Sequence, residues 1–380
     1  MNGVGETLRI LMILRAPVGG LYRHVIDLSS QLIARGHQVG LVMDSSLSDP
    51  RTDQRLSGME TAPQLGVHRI PIPRLLGPAD LLATGRIRRI ARQCGAQVLH
   101  GHGAKGGFYA RLAHIGRPDQ AAIYTPHGGV LHFEQSSGVG KLLRGIEKGL
   151  FGLTDAIIFE SRFARASFER QIGLPECLTP VVHNGLLPDE FKPLADDTVD
   201  HDFAYVGELR HLKGIHVLLD ALTAITNKGR PARLIIGGGG PDEEETRQQI
   251  ARLGLETRVT MAGVKPALQV FARGQVAVMP SLAESLPYVA LEAAAAGKPL
   301  IATDVGGVKE IFGPTASSLV APGDSGALAK ALQRCLDQPV EAATEAEKRR
   351  DWIREQFSVG KMTDGIERCY QEALSRRGKR

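Results

Sequence analysis

Glu284 and Glu292 stand eight residues apart in the stretch ESLPYVALE, where two carboxylates can act as a proton-transfer pair or as clamps for hydroxyl groups. Arg210 and Lys213 lie in FAYVGELRHLKG, and paired cations suit a diphosphate whose charge grows as a bond breaks. His127 in TPHGG adds a histidine at the end of a predicted strand. Each group also has a plainer reading. Glu284 could cap a helix, Glu292 could pair with a basic residue, basic loops are common, and a histidine after a strand is often structural.

The backbone that carries these residues weighs between the readings. VAVMP and PLIATD read as buried strands, and PYVALEAAAAG between them as a helix with Pro287 near its start and Gly297 as its stop. That helix is apolar nearly all round and should be buried, so Glu292 falls where an unpaired carboxylate is costly. Glu284 falls in the loop before it, at the carboxyl end of a strand. Open α/β sheets bind ligands at that edge, and the N–H groups of a helix start suit a phosphate. Arg210 and Lys213 follow a strand ending at Gly207 and precede a helix beginning near Gly214. His127 ends a strand in the other half of the chain.

The whole chain alternates strand and helix. RILMIL, HQVGLVMD, QVLHGHG, AAIYTPHG, DAIIFES and TPVVHNG are predicted strands of a first doubly wound parallel sheet. LYRHVIDLSSQLIARG is an amphipathic helix through Val25, Leu28, Leu32 and Ile33, stopped by Gly36. The polar stretch 186–202 is the best linker. After it the rhythm restarts with FAYVGEL, ARLIIGGGG, RVTMAGV, QVAVMPS, PLIATDV and SSLVAPG as strands. From Ser358, an N-cap serine, the residues Met362, Ile366, Tyr370 and Leu374 follow at helical spacing. The expected architecture is α/β, with two Rossmann-like doubly wound domains and a cleft between them. Residues 1–185 form the first domain, 186–356 the second and 357–380 a terminal helix; the family resemblance described next implies that they are the acceptor side, the nucleotide-sugar donor-binding side and a helix crossing back to the first.

Taken together these segments resemble the family-4 retaining glycosyltransferases, which have the GT-B fold. The Glu284–Glu292 pair followed by AAAAGKPLIATDVGGVKEI looks like that family's donor site, and the likeness extends to Gly19-Gly20, HGHGAKGG, TPHGG, VVHNGL and VGELRHLKG. The resemblance implies that Glu292 holds the donor ribose and Glu284 the hydroxyls of the transferred sugar. It implies further that backbone N–H groups around the stretch Ser285, Leu286, Pro287 and Tyr288 meet the phosphates. Arg210 and Lys213 would neutralise the diphosphate, His127 would contact the donor sugar near the reacting carbon, and backbone near Gly263 and Val264 would meet the base. The family often has arginine directly after the glycine of the FAYVG strand, where this chain has Glu208; Arg210 is then the substitute. Gly19 and Gly20 either let the first helix approach the diphosphate or simply make a tight turn. His24 is a candidate for the acceptor side, while His100, His102 and His132 receive no role.

Composition narrows the alternatives. With 380 residues, 43% hydrophobic and 23% charged, the chain suits two globular domains. No apolar run approaches the roughly 18 residues of a membrane span, and ILMIL is short for a signal-peptide core. A cytoplasmic protein is expected, with peripheral contact at the inner membrane face left open. Residues 1–180 carry 21 Lys+Arg against 14 Asp+Glu, an excess of 7 that either faces an anionic acceptor or membrane or is a solvated face. Cys94, Cys177, Cys335 and Cys369 form no zinc or disulfide spacing. Gly237–Gly240 lacks the third glycine of a dinucleotide fingerprint, no P-loop occurs, and no Asp-x-Asp metal motif is expected in the chain. The expectation is a metal-independent and cofactor-free enzyme that takes a nucleotide-diphosphate-sugar and a sugar or lipid-linked acceptor, with no nucleic-acid partner. A non-catalytic GT-B nucleotide-sugar-binding or partner subunit is the alternative, and a nucleotide-dependent oxidoreductase is disfavoured.

Overall fold

The structure is a computed structural model that describes residues 6–47, 50–128, 137–194, 199–226, 229 and 231–378; His132 lies outside them. The chain divides into two compact units, Met1–Gly185 with Val359–Arg380, and Leu186–Ser358.

The first unit begins with β1 (Arg9–Leu14), α1 (Gly19–Ala34), β2 (Gln38–Asp44), α2 (Pro50–Ser57) and β3 (Val67–Ile70). It continues through α3 (Ala79–Gln93), β4 (Val98–His102), α4 (Gly103–Ala113), β5 (Ala121–Thr125), α5 (Gly138–Gly149), β6 (Ala156–Ile157) and α6 (Arg162–Gln171). Its six strands lie in the order β3-β2-β1-β4-β5-β6, all parallel. Strands buried on both faces must be continuously apolar, and β1 (RILMIL) is buried from its second residue onward. Two expectations change here. VHRI was too polar and short to read as a strand, yet it pairs with β2 as β3. TPVVHNG forms no ladder strand: Val181 makes an isolated bridge to Phe159, and Leu178, just before the segment, makes another to Ala156, while Pro180 between them has no N–H to extend the pairing.

The second unit holds β7 (His201–Val206), α7 (Ile215–Thr226), β8 (Leu234–Gly237), α8 (Glu243–Arg252), β9 (Val259–Gly263) and α9 (Ala267–Phe271). After these come β10 (Gly274–Met279), α10 (Tyr288–Ala295), β11 (Leu300–Ala302), α11 (Val308–Phe312), α12 (Ser325–Asp337) and α13 (Pro339–Gln356). The order is β11-β10-β7-β8-β9, again all parallel. SSLVAPG makes one bridge, Thr303 to Val320, rather than a strand. The final helix, α14 (Val359–Arg377), buries Met362, Ile366 and Tyr370 and packs on α1, so it belongs to the first unit. Arg35, which caps the end of α1, holds it through Asp364 and Glu367 at 2.7 and 2.8 Å.

These strand orders set where ligands can bind. In each sheet the chain builds outward from its first strand on one side, then returns to the other side of that strand. The reversal falls between β1 and β4 in the first unit and between β7 and β10 in the second. Loops leaving the carboxyl ends of those two strands diverge there and open a crevice.

Candidate active site

In the second unit the reversal point gathers the predicted charged residues. The loop after β7 carries Arg210 and Lys213, and the loop after β10 carries Glu284. Lys213 Nζ donates to Glu284 Oε1 at 2.7 Å, and Ser281 Oγ donates to the same oxygen at 2.7 Å. Glu284 is nearly buried at 9% side-chain exposure while Lys213 keeps 28%, so the ammonium can still turn to an incoming anion. The two loops are bound by backbone as well, with Leu282 N–H donating to the Leu212 carbonyl at 2.8 Å. Gly214 makes this possible. Its φ of +67° is left-handed, and a Cβ there would stand 2.0 Å from the Pro280 carbonyl oxygen.

The stretch from Ser285 to Tyr288 runs from that loop into α10. Pro287 is the N-cap, Leu286 and Tyr288 are buried, and Gly307 N–H donates to the Ser285 carbonyl at 2.6 Å. The helix is lined with alanine and buries Ala290, Leu291 and Ala293–Ala295, as its composition predicts. Glu292 lies on the remaining, half-buried side. Val264 is exposed, directly after β9, on the same carboxyl edge of the sheet.

Arg210 is placed differently. Its side chain is about half exposed and reaches Glu208 at 3.5 Å, not Glu284. The acidic residue standing where arginine was expected therefore takes up its substitute. One Asp-x-Asp string does occur, Asp200-His201-Asp202, which corrects the expectation of none. It lies at the amino end of β7, where Asp200 pairs with Arg273 at 2.6 Å and Asp202 accepts from Arg233 N–H at 2.7 Å. The Arg273 hydrogen bond holds the Asp200 carboxyl down at about 2.

Gly19, Gly20 and His127 lie in the first unit. Gly19 (φ +63°) and Gly20 begin α1, whose first turn holds no acidic residue and whose N-cap, Val18, offers no side-chain bond. His127 follows β5 with φ +50°, the one non-glycine residue with positive φ among the described residues. Such a backbone costs about 1–3 kcal/mol and persists only where surroundings impose it. The surroundings are charged and polar. His127 Nδ1 meets Glu160 at 2.8 Å, with both side chains buried, and His127 Nε2 meets His102 Nδ1 at 3.2 Å. His24 joins edge-on at 4.9 Å between ring centroids and bonds Asn184 at 3.0 Å. Burial, with the His127 ring next, drives the His24 imidazole down to about 3, and burial holds His100 and His102 well below the ordinary imidazole range. His24, His100 and His102 are therefore neutral at pH 7.

Comparison with known proteins then decides the class. The family described as "Glycosyl transferases group 1" matches residues 188–358, and "Glycosyltransferase Family 4" matches residues 18–190. The chain belongs to glycosyltransferase family 4. Among curated relatives, glycogen synthase of Mycobacterium tuberculosis is 27% identical over 96% of this chain and 93% of that one. The 2-deoxystreptamine glucosyltransferase of Streptomyces kanamyceticus is 33% identical, over 46% of this chain and 44% of the relative. Among solved structures, the Anabaena protein HepE in complex with UDP superposes with a TM-score of 0.79 at 22% identity, over 96% of this chain and 100% of that one. Sucrose-phosphate synthase of Thermosynechococcus elongatus gives 0.80 at 22%, over 97% and 99%. At such identity these two speak for the fold, which is GT-B.

The chain is therefore an enzyme that transfers sugar, and the non-catalytic alternative falls away. In this glycosyltransferase the structure also adds residues that sequence reading passed over. Ser281 and Glu160 each follow a strand, and that position was their available signal. His102 and Asn184 lay inside the motifs HGHGAKGG and VVHNGL, but nothing in those strings says that the rings converge. The four cysteines are free thiols, and burial lifts Cys177 and Cys369 to about 11 and about 12.

Proposed function

We propose that this glycosyltransferase moves a sugar, with retention of configuration, from a nucleotide diphosphate to an acceptor hydroxyl. The acceptor is read as a bacterial cell-surface polysaccharide or a lipid-linked oligosaccharide. The observation that carries the donor half is the Lys213–Glu284 pair at the reversal between β7 and β10, a cation and an acceptor side by side where diphosphate and sugar meet.

On donor binding, Lys213 turns to the diphosphate, and Glu284, freed of its partner but still held by Ser281, accepts from hydroxyls of the sugar. Glu292 takes the ribose, and the α10 start with its N–H groups takes the phosphates. Val264 backbone borders the base, and Gly19 and Gly20 bring a second helix start to the phosphates. His127 contacts the sugar near the reacting carbon. The C1–O bond to phosphate then breaks and its electron pair leaves with the diphosphate, whose charge Lys213, with Arg210, stabilises. The acceptor oxygen attacks C1 from the same face, and its proton passes to the departing phosphate oxygen. Glu284 positions and stabilises; it is not the nucleophile that carboxylates supply in retaining glycosidases. No step needs a metal.

The first unit offers a surface for a lipid-linked acceptor. Leu75, before α3, and Leu81 and Leu82, in its first turn, are 80%, 72% and 69% exposed, and Arg74, Arg86 and Arg89 in the same stretch of chain are exposed too. Apolar side chains among cations fit an anionic membrane surface. No helix among the described residues is long and apolar enough to cross a membrane.

The donor assignment is tested by thermal shift with UDP-, GDP- and ADP-sugars, since a ligand bound only to the folded state raises the melting temperature. One nucleotide series is expected to stabilise the protein, and to stop doing so in Lys213→Ala. Stabilisation that is the same in Lys213→Ala and Glu292→Ala would remove the proposed site.

A further inference from the structure

His24, His100, His102 and His127 pack ring against ring in the first unit, and their hydrogen bonds sort them into two kinds. His100 has both nitrogens engaged, Nδ1 with the Tyr370 hydroxyl at 2.6 Å and Nε2 with Thr125 Oγ1 at 2.8 Å. The other three have tautomers set by their outer partners. The Glu160 carboxylate accepts, so His127 Nδ1 carries the hydrogen and His127 Nε2 is a bare lone pair. His102 Nδ1 donates to that lone pair at 3.2 Å, which leaves His102 Nε2 bare. His24 Nδ1 donates to Asn184 Oδ1 at 3.0 Å, and its Nε2 is bare in turn. Both His24 Nε2 and His102 Nε2 are buried without a hydrogen-bond partner, an arrangement that folded proteins rarely keep.

One ring nitrogen from each of His24, His102 and His127 lies within 4.8 Å of the other two. We propose that these three imidazoles bind a divalent transition-metal ion of the zinc type, and that an ion held there blocks sugar transfer by engaging His127. The first clause stands on geometry alone; the second rests on the role of His127 in the proposed function.

The donor set chooses the ion. Three neutral nitrogens suit zinc, cobalt, nickel or copper, whereas magnesium and calcium want oxygen. Zn–N bonds of about 2.05 Å place tetrahedral ligand atoms about 3.3 Å apart, so the side chains need close by no more than roughly 1.5 Å. The outer partners are those of a working metal site. Glu160 behind His127 and Asn184 behind His24 orient each ring and fix which nitrogen faces inward. His100 is excluded because hydroxyls outside the three rings, of Tyr370 and Thr125, hold both its nitrogens, whereas His127 Nε2 is bonded to another ring of the set and has only that bond to exchange for an ion. A three-histidine set leaves a fourth position for water or for an oxygen of a bound ligand.

The test is a calorimetric titration of the tag-free protein with Zn2+, with Co2+ absorption reporting tetrahedral nitrogen ligation. Wild type is expected to bind one ion in this site, and His102→Gln to lose affinity more than tenfold while His211→Gln, in the second unit, keeps it. Glu160→Gln, which preserves shape, is expected to weaken binding about tenfold and serves should His102→Gln fail to fold. Absence of uptake by wild type, or equal affinity in His102→Gln or Glu160→Gln, overturns the site. Transfer activity is read in parallel. Inhibition by Zn2+ that chelator reverses, and that His102→Gln escapes, is the expected result. Full activity with the site filled would leave the metal site standing and overturn the blocking role along with that of His127.

Discussion

Lys213 is the residue on which the proposed donor chemistry turns. It is the cation in contact with Glu284, and it is exposed enough to change partner. Loss of a preorganised charge on the leaving group costs about 10²–10³ in rate, and Lys213→Ala should fall by that much in kcat/KM. Arg210 is about half exposed and engaged with Glu208. Its replacement by alanine should cost roughly tenfold or less, because a solvated charge acts weakly. Steady-state kinetics of the two variants side by side checks the order, and an Arg210→Ala loss as large as that of Lys213→Ala would reverse the assignment. Transfer should also be undiminished in excess chelator; a strict metal requirement would break the mechanism.

Among elements, the loop that carries Glu284 owes its shape to a contact made from another strand. Gly306, after β11, has φ +58°, and a Cβ there would lie 2.1 Å from the Glu284 carbonyl oxygen. Gly306→Ala must therefore move the backbone of Glu284 or its own. It should destabilise the second unit by about 1–3 kcal/mol, within the range of strained substitutions. Nucleotide affinity should drop with it, since Gly307 N–H also holds the Ser285 carbonyl. Denaturant unfolding and nucleotide titration measure both effects, and wild-type values in both would refute the coupling. α14 shows the same dependence at longer range. It is last in the chain, yet its Tyr370 hydroxyl meets His100 on β4, an inner strand of the first sheet.

At the scale of the molecule, the buried histidines make stability depend on pH. His24, His100 and His102 are neutral in the fold, with His24 lowered to about 3. In the unfolded chain they titrate near 6.5. The unfolded state therefore binds protons that the folded state refuses. Their stabilising effect is complete above about pH 6.5 and is lost as pH falls toward the folded values, by up to about 1.4 kcal/mol per pH unit for each ring. Urea midpoints should thus decline from about pH 7 to about pH 5, and a flat profile would contradict the neutral cluster. The membrane reading makes its own prediction. Cosedimentation with anionic vesicles should weaken severalfold in a Leu81→Ser, Leu82→Ser variant and with rising salt, as charge screening requires. Binding that ignores both changes would rule it out.

Local pattern was enough to read the two sheets and the helix between Pro287 and Gly297. Their apolar runs and glycine stops are properties of consecutive residues, and a buried parallel strand has no other way to be built. The Glu284–Glu292 spacing with Lys213 was legible for the same reason, since each lies at a recognisable strand or helix boundary. The short, polar β3 was not, because its place comes from pairing with β2 rather than from its own composition. Nor was the partner of Arg210, the Asp-x-Asp string's position at the far end of β7, or the meeting of His24, His102 and His127. Those rings stand on α1, at the end of β4 and after β5, and only the sheet order that sets β1 beside β4 and β4 beside β5 brings them together. Side-chain partners between distant segments depend on topology, and topology is settled by burial across the whole sheet.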